Sequence, residues 1–203
     1  MLNRFARAFV NKLFTPLARL FLKLGMSPDV VTIVGTVGVC VGALGFYPRH
    51  EFFWGSILVS VFAFSDTIDG VMARLSDRSS KWGAYLDSTL DRVGDSAVFG
   101  GLVLWYAGDG GTPYLAALAL ACLILGSVVS YSKARAEGLG MTANVGIAER
   151  ADRLVAVLIA TGLVGLGVPE VLLTVVLSLL ALASLITVIQ RMLEVRRQAF
   201  EIV

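Results

Sequence analysis

Three stretches of this chain, Val30–Tyr47, Tyr114–Tyr131 and Val171–Ile189, are apolar almost without interruption. About 20 such residues in a helix cross the ~30 Å hydrocarbon layer of a bilayer. A chain with several of them folds around lipid rather than water. Composition agrees: of 203 residues 57% are hydrophobic and only 16% charged, against roughly 25% charged in soluble domains, and the mean hydropathy is +0.80. Leu154–Val168 is a shorter apolar run that can extend by a turn at its N-terminal end. Phe52–Leu75 and Trp82–Tyr106 are apolar at one end and charged at the other. The expectation is an all-α integral membrane protein with six transmembrane helices. The segments "FYPRHE", "AGDGGTP" and "GLGVPE" supply turn residues between spans.

Six spans put every Lys and Arg except Arg49 on one side of the membrane. By the positive-inside rule that side is cytoplasmic and carries both termini, so a multi-pass protein of the cell membrane is expected. Residues 1–26 form a separate unit. Arg4, Arg7, Asn11, Thr15, Arg19 and Lys23 recur every three or four residues, and Phe5, Phe9, Leu13, Leu17, Leu20 and Leu24 fill the remaining arc. This pattern predicts a basic amphipathic helix lying on the leaflet, bent near Pro16, ahead of a six-helix domain over 27–203. Membrane lipids are the implied partners, and no nucleic acid. Cys40 and Cys122 lie inside apolar runs and read as small buried hydrophobes. His50, between Arg49 and Glu51, reads as a solvated loop residue.

Against this background Asp66, Asp69, Asp77, Asp87, Asp91 and Asp95 stand out. Asp66 and Asp69 are three apart and Asp87 and Asp91 four apart, so each pair shares a helix face. Asp66 is fourteen residues in from Phe52 and Asp91 fifteen back from Tyr106, so both lie roughly 21–23 Å from the far surface at about 1.5 Å per residue. Two antiparallel helices thereby bring two carboxylate pairs to one depth, where ionised groups are costly. Hard divalent cations such as Mg²⁺ or Mn²⁺ suit an all-oxygen set. Metal-assisted phosphoryl transfer is chemistry such a site can perform, with a carboxylate accepting the proton of an attacking hydroxyl. Salt bridges to Arg74, Arg78 and Arg92, or an ion pathway in a transporter, are the other uses of such residues. Asp77 fits a solvated loop, and Asp95 a local ion pair or the cavity wall.

The pattern Asp66-x2-Asp69-Gly70-x2-Ala73-Arg74-x8-Gly83-x3-Asp87-x3-Asp91 resembles the full signature of the CDP-alcohol phosphotransferase family. That resemblance implies six transmembrane helices with an N-terminal juxtamembrane helix, commonly in a homodimer, and displacement of CMP from a CDP-linked substrate by an alcohol. It implies that Asp66, Asp69 and Asp87 hold the metal and that Asp91, also near the metal, is the general base. Gly70, Ala73, Arg74 and Gly83 would shape the CDP site. "SPDVVT" (Ser27–Thr32) resembles the family segment that helps hold the nucleotide, which brings in Asp29, Val30, Val31 and Thr32; Ser80 is a further candidate contact. Many members have Asn where Asp29 stands.

The second half of the chain bears on the acceptor. "SYSKARAE", "ERADRL" and "VIQRM" resemble segments of bacterial family members that use inositol 1-phosphate. In those members Lys133, Arg153 and Arg191 would clamp the acceptor phosphate. Arg135 and Arg150 are possible additions, with Glu137, Glu149 and Asp152 as alternative partners. The implied reaction is transfer of the phosphatidyl group of CDP-diacylglycerol to inositol 1-phosphate by direct displacement, releasing CMP. Glycerol 3-phosphate, also dianionic, is the alternative acceptor.

Overall fold

The computed structural model describes residues 14–76 and 80–201, apart from the side chains of Asp66 and Glu201. Every regular element among them is helical. Helix α1 covers 14–23. It is followed by α2 (Pro28–Phe46), a 3₁₀ turn (Tyr47–Arg49), α3 (Phe52–Ala63), α4 (Ser65–Leu75), α5 (Lys81–Ala107), α6 (Pro113–Glu137), α7 (Arg150–Gly165) and α8 (Val171–Glu201). Residues 1–13 of the expected amphipathic helix, and Asp77 and Arg78, lie outside the described residues.

The helix starts are chemically specified. Ser27 Oγ accepts from Val30 N at the head of α2, with Pro28 in the first turn where its missing N–H costs nothing. Ser80 Oγ accepts from Gly83 N at the head of α5 (2.9 Å). Glu149 and Asp152 form a reciprocal capping box at the head of α7, which begins at Arg150, one turn ahead of the apolar run. The span expected over Phe52–Leu75 is broken at Phe64 into α3 and α4. No Gly or Pro marks that break. His50 is exposed in the connection after the 3₁₀ turn, as the sequence suggests. It takes a left-handed conformation (φ 62°) that ends the 3₁₀ turn, and its ring stacks on Trp105 with centroids 4.5 Å apart.

Among the described residues four helical stretches are long and apolar enough to cross a membrane: Pro28–Arg49, Phe52–Leu75, Pro113–Glu137 and Val171–Phe200. The continuous helix α5 carries Asp91, Arg92 and Asp95 inside its length, and α7 has only 16 residues. A multi-pass membrane protein follows.

Helix α2 is central. It packs most extensively on α5 and also on α3 and α4, while α6 joins α5 to α8 and α7 packs on α3 and α8. Close approach is possible because α2 presents Gly35, Gly38 and Gly42 on one face, where added methyl groups would run into Ser65, Phe62 and Val59. Gly165 of α7 likewise lies against the backbone of Phe52 and Phe53. The main core, with Tyr47, Phe52, Leu102, Tyr106, Leu115, Leu173 and Leu177 fully buried, fills the His50 end of the bundle. At the opposite end a smaller core of Ala18, Val31, Ile68, Val71 and Met72 forms, with Phe14 and Phe21 of α1 packed on it. Toward that end Asp69 and Asp87 line one cleft and Asp91 a second recess.

Candidate functional site

Three helix segments line a cleft of ≈ 190 Å³. The head of α2 supplies Pro28, Asp29 and Thr32; α4 supplies Asp69, Gly70 and Ala73; the head of α5 supplies Ser80, Gly83, Ala84 and Asp87. Helices α4 and α5 make little direct contact among the described residues, and α2 packs against both. The cleft is the gap this leaves at the charged end. Small residues keep it open: a methyl group on Gly83 would sit 3.3 Å from Ser80 Oγ and 3.6 Å from Asp29 Oδ1, and one on Gly70 would face the Arg74 guanidinium at 3.7 Å.

Asp69 is buried, 7% exposed, and Thr32 Oγ1 donates to its Oδ2. Asp87 faces it across the cleft from α5. Asp66 lies one turn before Asp69 on α4; its side chain is outside the described set. Among the described residues no three His, Cys, Asp or Glu side chains gather closely enough to hold a metal by themselves. The buried Asp69 and part-buried Asp87 carboxylates, from two helices and with no sulfur or imidazole among the described residues lining the cleft, match the preference of a hard divalent cation. Asp66 occupies the helical position from which a third carboxylate is due. The donor set therefore fits such an ion.

Asp91, one turn beyond Asp87, lies in a second, smaller recess with Gly35, Thr36, Gly94, Arg150 and Leu154. Arg150 reaches across from the start of α7: its Nη1 is 2.7 Å from Asp91 Oδ1 and its Nε donates to Asp95 Oδ1 at 3.1 Å. Arg92 Nη2 adds longer contacts to the same two carboxylates, 3.6 and 3.9 Å. The partners considered for Arg150 from the sequence, Glu149 and Asp152, are instead engaged in the capping box of α7. One turn further along α7, Arg153 is almost fully buried, 2% exposed. Its Nη1 donates to Ala148 O (3.2 Å), and its Nη2 is buried without a partner. It lies in the electrostatic field of Asp95, Arg92, Arg150 and Arg191. Arg191 of α8 is buried as well, its Nε donating to Val145 O (3.0 Å) and its Nη1 to Val129 O of α6. Lys133 follows Val129 by one turn on α6 and is half-buried.

A sequence profile described as CDP-alcohol phosphatidyltransferase matches residues 25–183. The chain belongs to that family. It is 54% identical to the phosphatidylinositol phosphate synthase of Streptomyces avermitilis over 99% of this chain and 85% of that one. It is 47% identical to the synthase of the same description from Cutibacterium acnes over 97% and 98%. In three dimensions it resembles the Mycobacterium tuberculosis phosphatidylinositol phosphate synthase with CDP-DAG bound, with a TM-score of 0.86 at 41% identity over 91% of this chain and 94% of that one. The crystal structure of the same synthase in complex with manganese and citrate gives a TM-score of 0.86 at 42% identity, covering 90% and 88%.

Of the residues singled out in this transferase, the cleft unites Asp29, Thr32, Asp69, Gly70, Ala73, Ser80, Gly83 and Asp87. Val31 instead packs in the smaller core and Val30 is exposed. Arg74 is exposed beside Gly70, Ser80 caps α5, and Arg135 is exposed. Two contacts escaped sequence reasoning. Nothing in the spacing announced that Thr32 would donate to Asp69 37 residues away. Nor did it show that Arg150 would cross to Asp91 and Asp95 on α5.

Proposed function

We propose that this chain transfers the phosphatidyl group of CDP-diacylglycerol to inositol 1-phosphate, releasing CMP. The observation that carries the proposal is one polar end holding two adjoining sites: an acidic cleft of small residues, and a pair of buried guanidiniums from Arg153 and Arg191. The two are joined by Arg150 and Asp91. The naming of its relatives as phosphatidylinositol phosphate synthases over nearly the whole chain supports the same activity.

In this proposal Asp66, Asp69 and Asp87 hold a divalent cation, Mg²⁺ or Mn²⁺, with Asp91 close by. Bound there, such an ion binds the anionic diphosphate and offsets charge that builds on it during transfer. Gly70, Ala73 and Gly83 admit the nucleotide, Asp29, Thr32 and Ser80 line its pocket, and Arg74 pairs with the diphosphate. Val30 and Val31 act through the first turns of α2, which they build. Lys133, Arg153 and Arg191 bind the acceptor phosphate, for which guanidiniums offer planar, bidentate donors. Asp91, oriented by Arg150, takes the proton of the acceptor hydroxyl. The hydroxyl oxygen then bonds to the phosphorus that bears diacylglycerol, the bond from that phosphorus to the bridging oxygen breaks, and CMP departs with the electron pair.

We further take α5 and α7 to cross the membrane beside the four apolar helices, giving six spans in the domain over 27–203. The charges of α5 then face the bundle interior, as polar groups in a membrane do. Helix α1, with Leu17 and Leu20 exposed beside Arg19 and Lys23 and Leu24 exposed just after it, lies at the cytoplasmic interface as part of the amphipathic unit over 1–26. Both termini and the cleft are cytoplasmic by the positive-inside rule. The acting form is a homodimer, as the family resemblance implies.

The test is CMP release by the purified protein with CDP-diacylglycerol and a divalent metal, comparing inositol 1-phosphate, free inositol and glycerol 3-phosphate. Strong preference for inositol 1-phosphate is expected. Preference for glycerol 3-phosphate would keep the acidic site and overturn the acceptor assignment.

A further inference from the structure

The connection from α6 to α7, residues 138–149, has no helix of its own, yet Ala143 and Ala148 within it are buried. Backbone outside any helix needs other partners for its N–H and C=O groups, and α8 supplies several here. Gln198 Oε1 accepts from Thr142 N (2.9 Å) and its Nε2 donates to Thr142 O (2.7 Å). Thr187, fully buried, accepts from two consecutive amides, Ile147 N and Ala148 N, both at 3.2 Å. Its own hydroxyl proton goes to Ala183 O (2.8 Å) one turn back on α8. A hydroxyl has one proton and two acceptor positions, so all three capacities of Thr187 are in use.

The peptides held this way lie directly between the two that hold the arginines. Ala148 gives its N–H to Thr187 and its carbonyl to Arg153 Nη1. Val145, three residues earlier, gives its carbonyl to Arg191 Nε. Gly146 stands between them at φ +142°, a conformation that side-chain-bearing residues rarely adopt, and a methyl group there would strike Thr187 Cγ2.

We infer that Thr187 is a positioning residue of the acceptor-phosphate site, setting the aim of Arg153 and Arg191 through the Val145–Ala148 backbone, with Gly146 as the residue that lets the loop close on it. The inference rests on the acceptor assignment of those two arginines. Thr187 itself does not touch substrate. Its effect belongs to acceptor affinity and not to the CDP-lipid cleft, which is built from α2, α4 and α5.

The experiment is steady-state CMP release and direct inositol 1-phosphate binding for Thr187→Val, Thr187→Ser, Gly146→Ala and Arg153→Ala. Valine keeps the shape and removes both acceptor positions, taking the partner from the buried Ala148 amide and the part-buried Ile147 amide; serine keeps the hydroxyl. Thr187→Val is expected to raise KM and Kd for inositol 1-phosphate about tenfold while KM for CDP-diacylglycerol stays within about twofold. Thr187→Ser should restore acceptor affinity, and Gly146→Ala should reproduce the acceptor-selective loss without altering the hydroxyl. Equal rises in both KM values, unchanged acceptor affinity in Thr187→Val, or failure of serine to rescue would overturn the inference. Should the valine variant not fold, unchanged acceptor affinity in Gly146→Ala overturns it. If Arg153→Ala binds the acceptor normally, the acceptor assignment itself falls and takes this inference with it. If Arg153→Ala loses affinity and Thr187→Val does not, only the role of Thr187 is refuted.

Discussion

At the scale of single residues, the proposed chemistry depends on how two carboxylates are held. Asp69 is oriented by the Thr32 hydroxyl and Asp91 by the Arg150 guanidinium. Thr32→Val keeps side-chain volume but removes the donor to Asp69. Loss of a hydrogen bond to a metal-binding carboxylate typically weakens the metal by 10–100-fold, so the Mn²⁺ concentration for half-maximal CMP release should rise about tenfold or more. An unchanged metal requirement would detach Thr32 from metal binding. Asp91→Asn keeps the shape of the side chain and removes its capacity to take a proton. It should lower kcat by roughly 10²–10⁴-fold while CDP-diacylglycerol still binds. Near-normal turnover in that variant would reassign the base.

At the scale of elements, the bundle is held by a few close helix crossings. In a bilayer apolar side chains gain little by leaving lipid, so packing between small residues carries more of the association. Gly165 of α7 is the test case, because the atoms its methyl group would meet include the backbone of Phe52 and Phe53 at the head of α3. A backbone neighbour cannot rotate aside as a side chain can. Gly165→Ala is expected to destabilise the protein by ~2 kcal/mol, an ordinary overpacking cost, read as a lower Tm in detergent. Because Gly165 lies beside the main core, far along the helix from Arg150 and Arg153, both KM values should remain as in the parent. A shifted acceptor KM would show that α7 transmits strain along its length.

For the whole molecule, the arrangement is an apolar core at the His50 end and a polar site at the other. Six spans require those two ends to face opposite sides of the membrane. Cysteine scanning in a background lacking Cys40 and Cys122 measures this directly. A cysteine at His50 should react with an impermeant maleimide in intact cells, and one at Leu139 only after the membrane is opened. Labelling of both from outside would break the six-span topology. With four spans the two positions would be sorted differently relative to the termini.

Much of this protein was legible in the sequence because its constraints are local. Membrane-length apolar runs and carboxylates three and four apart on α4 and α5 need only helix periodicity and the cost of charge in lipid to interpret. The extension of α7 back to Arg150 was within reach of the same reasoning, since Glu149 and Asp152 cap it locally. The break at Phe64 carried no Gly or Pro to mark it. Tertiary structure alone decided which distant groups meet: Thr32 with Asp69, Arg150 with Asp91 and Asp95, and the Val145 and Ala148 carbonyls with Arg191 and Arg153. Those contacts join helices whose relative rotation depends on side-chain packing around α2 and α8. Helical periodicity sets which face a residue occupies, but it leaves open which neighbour that face will meet.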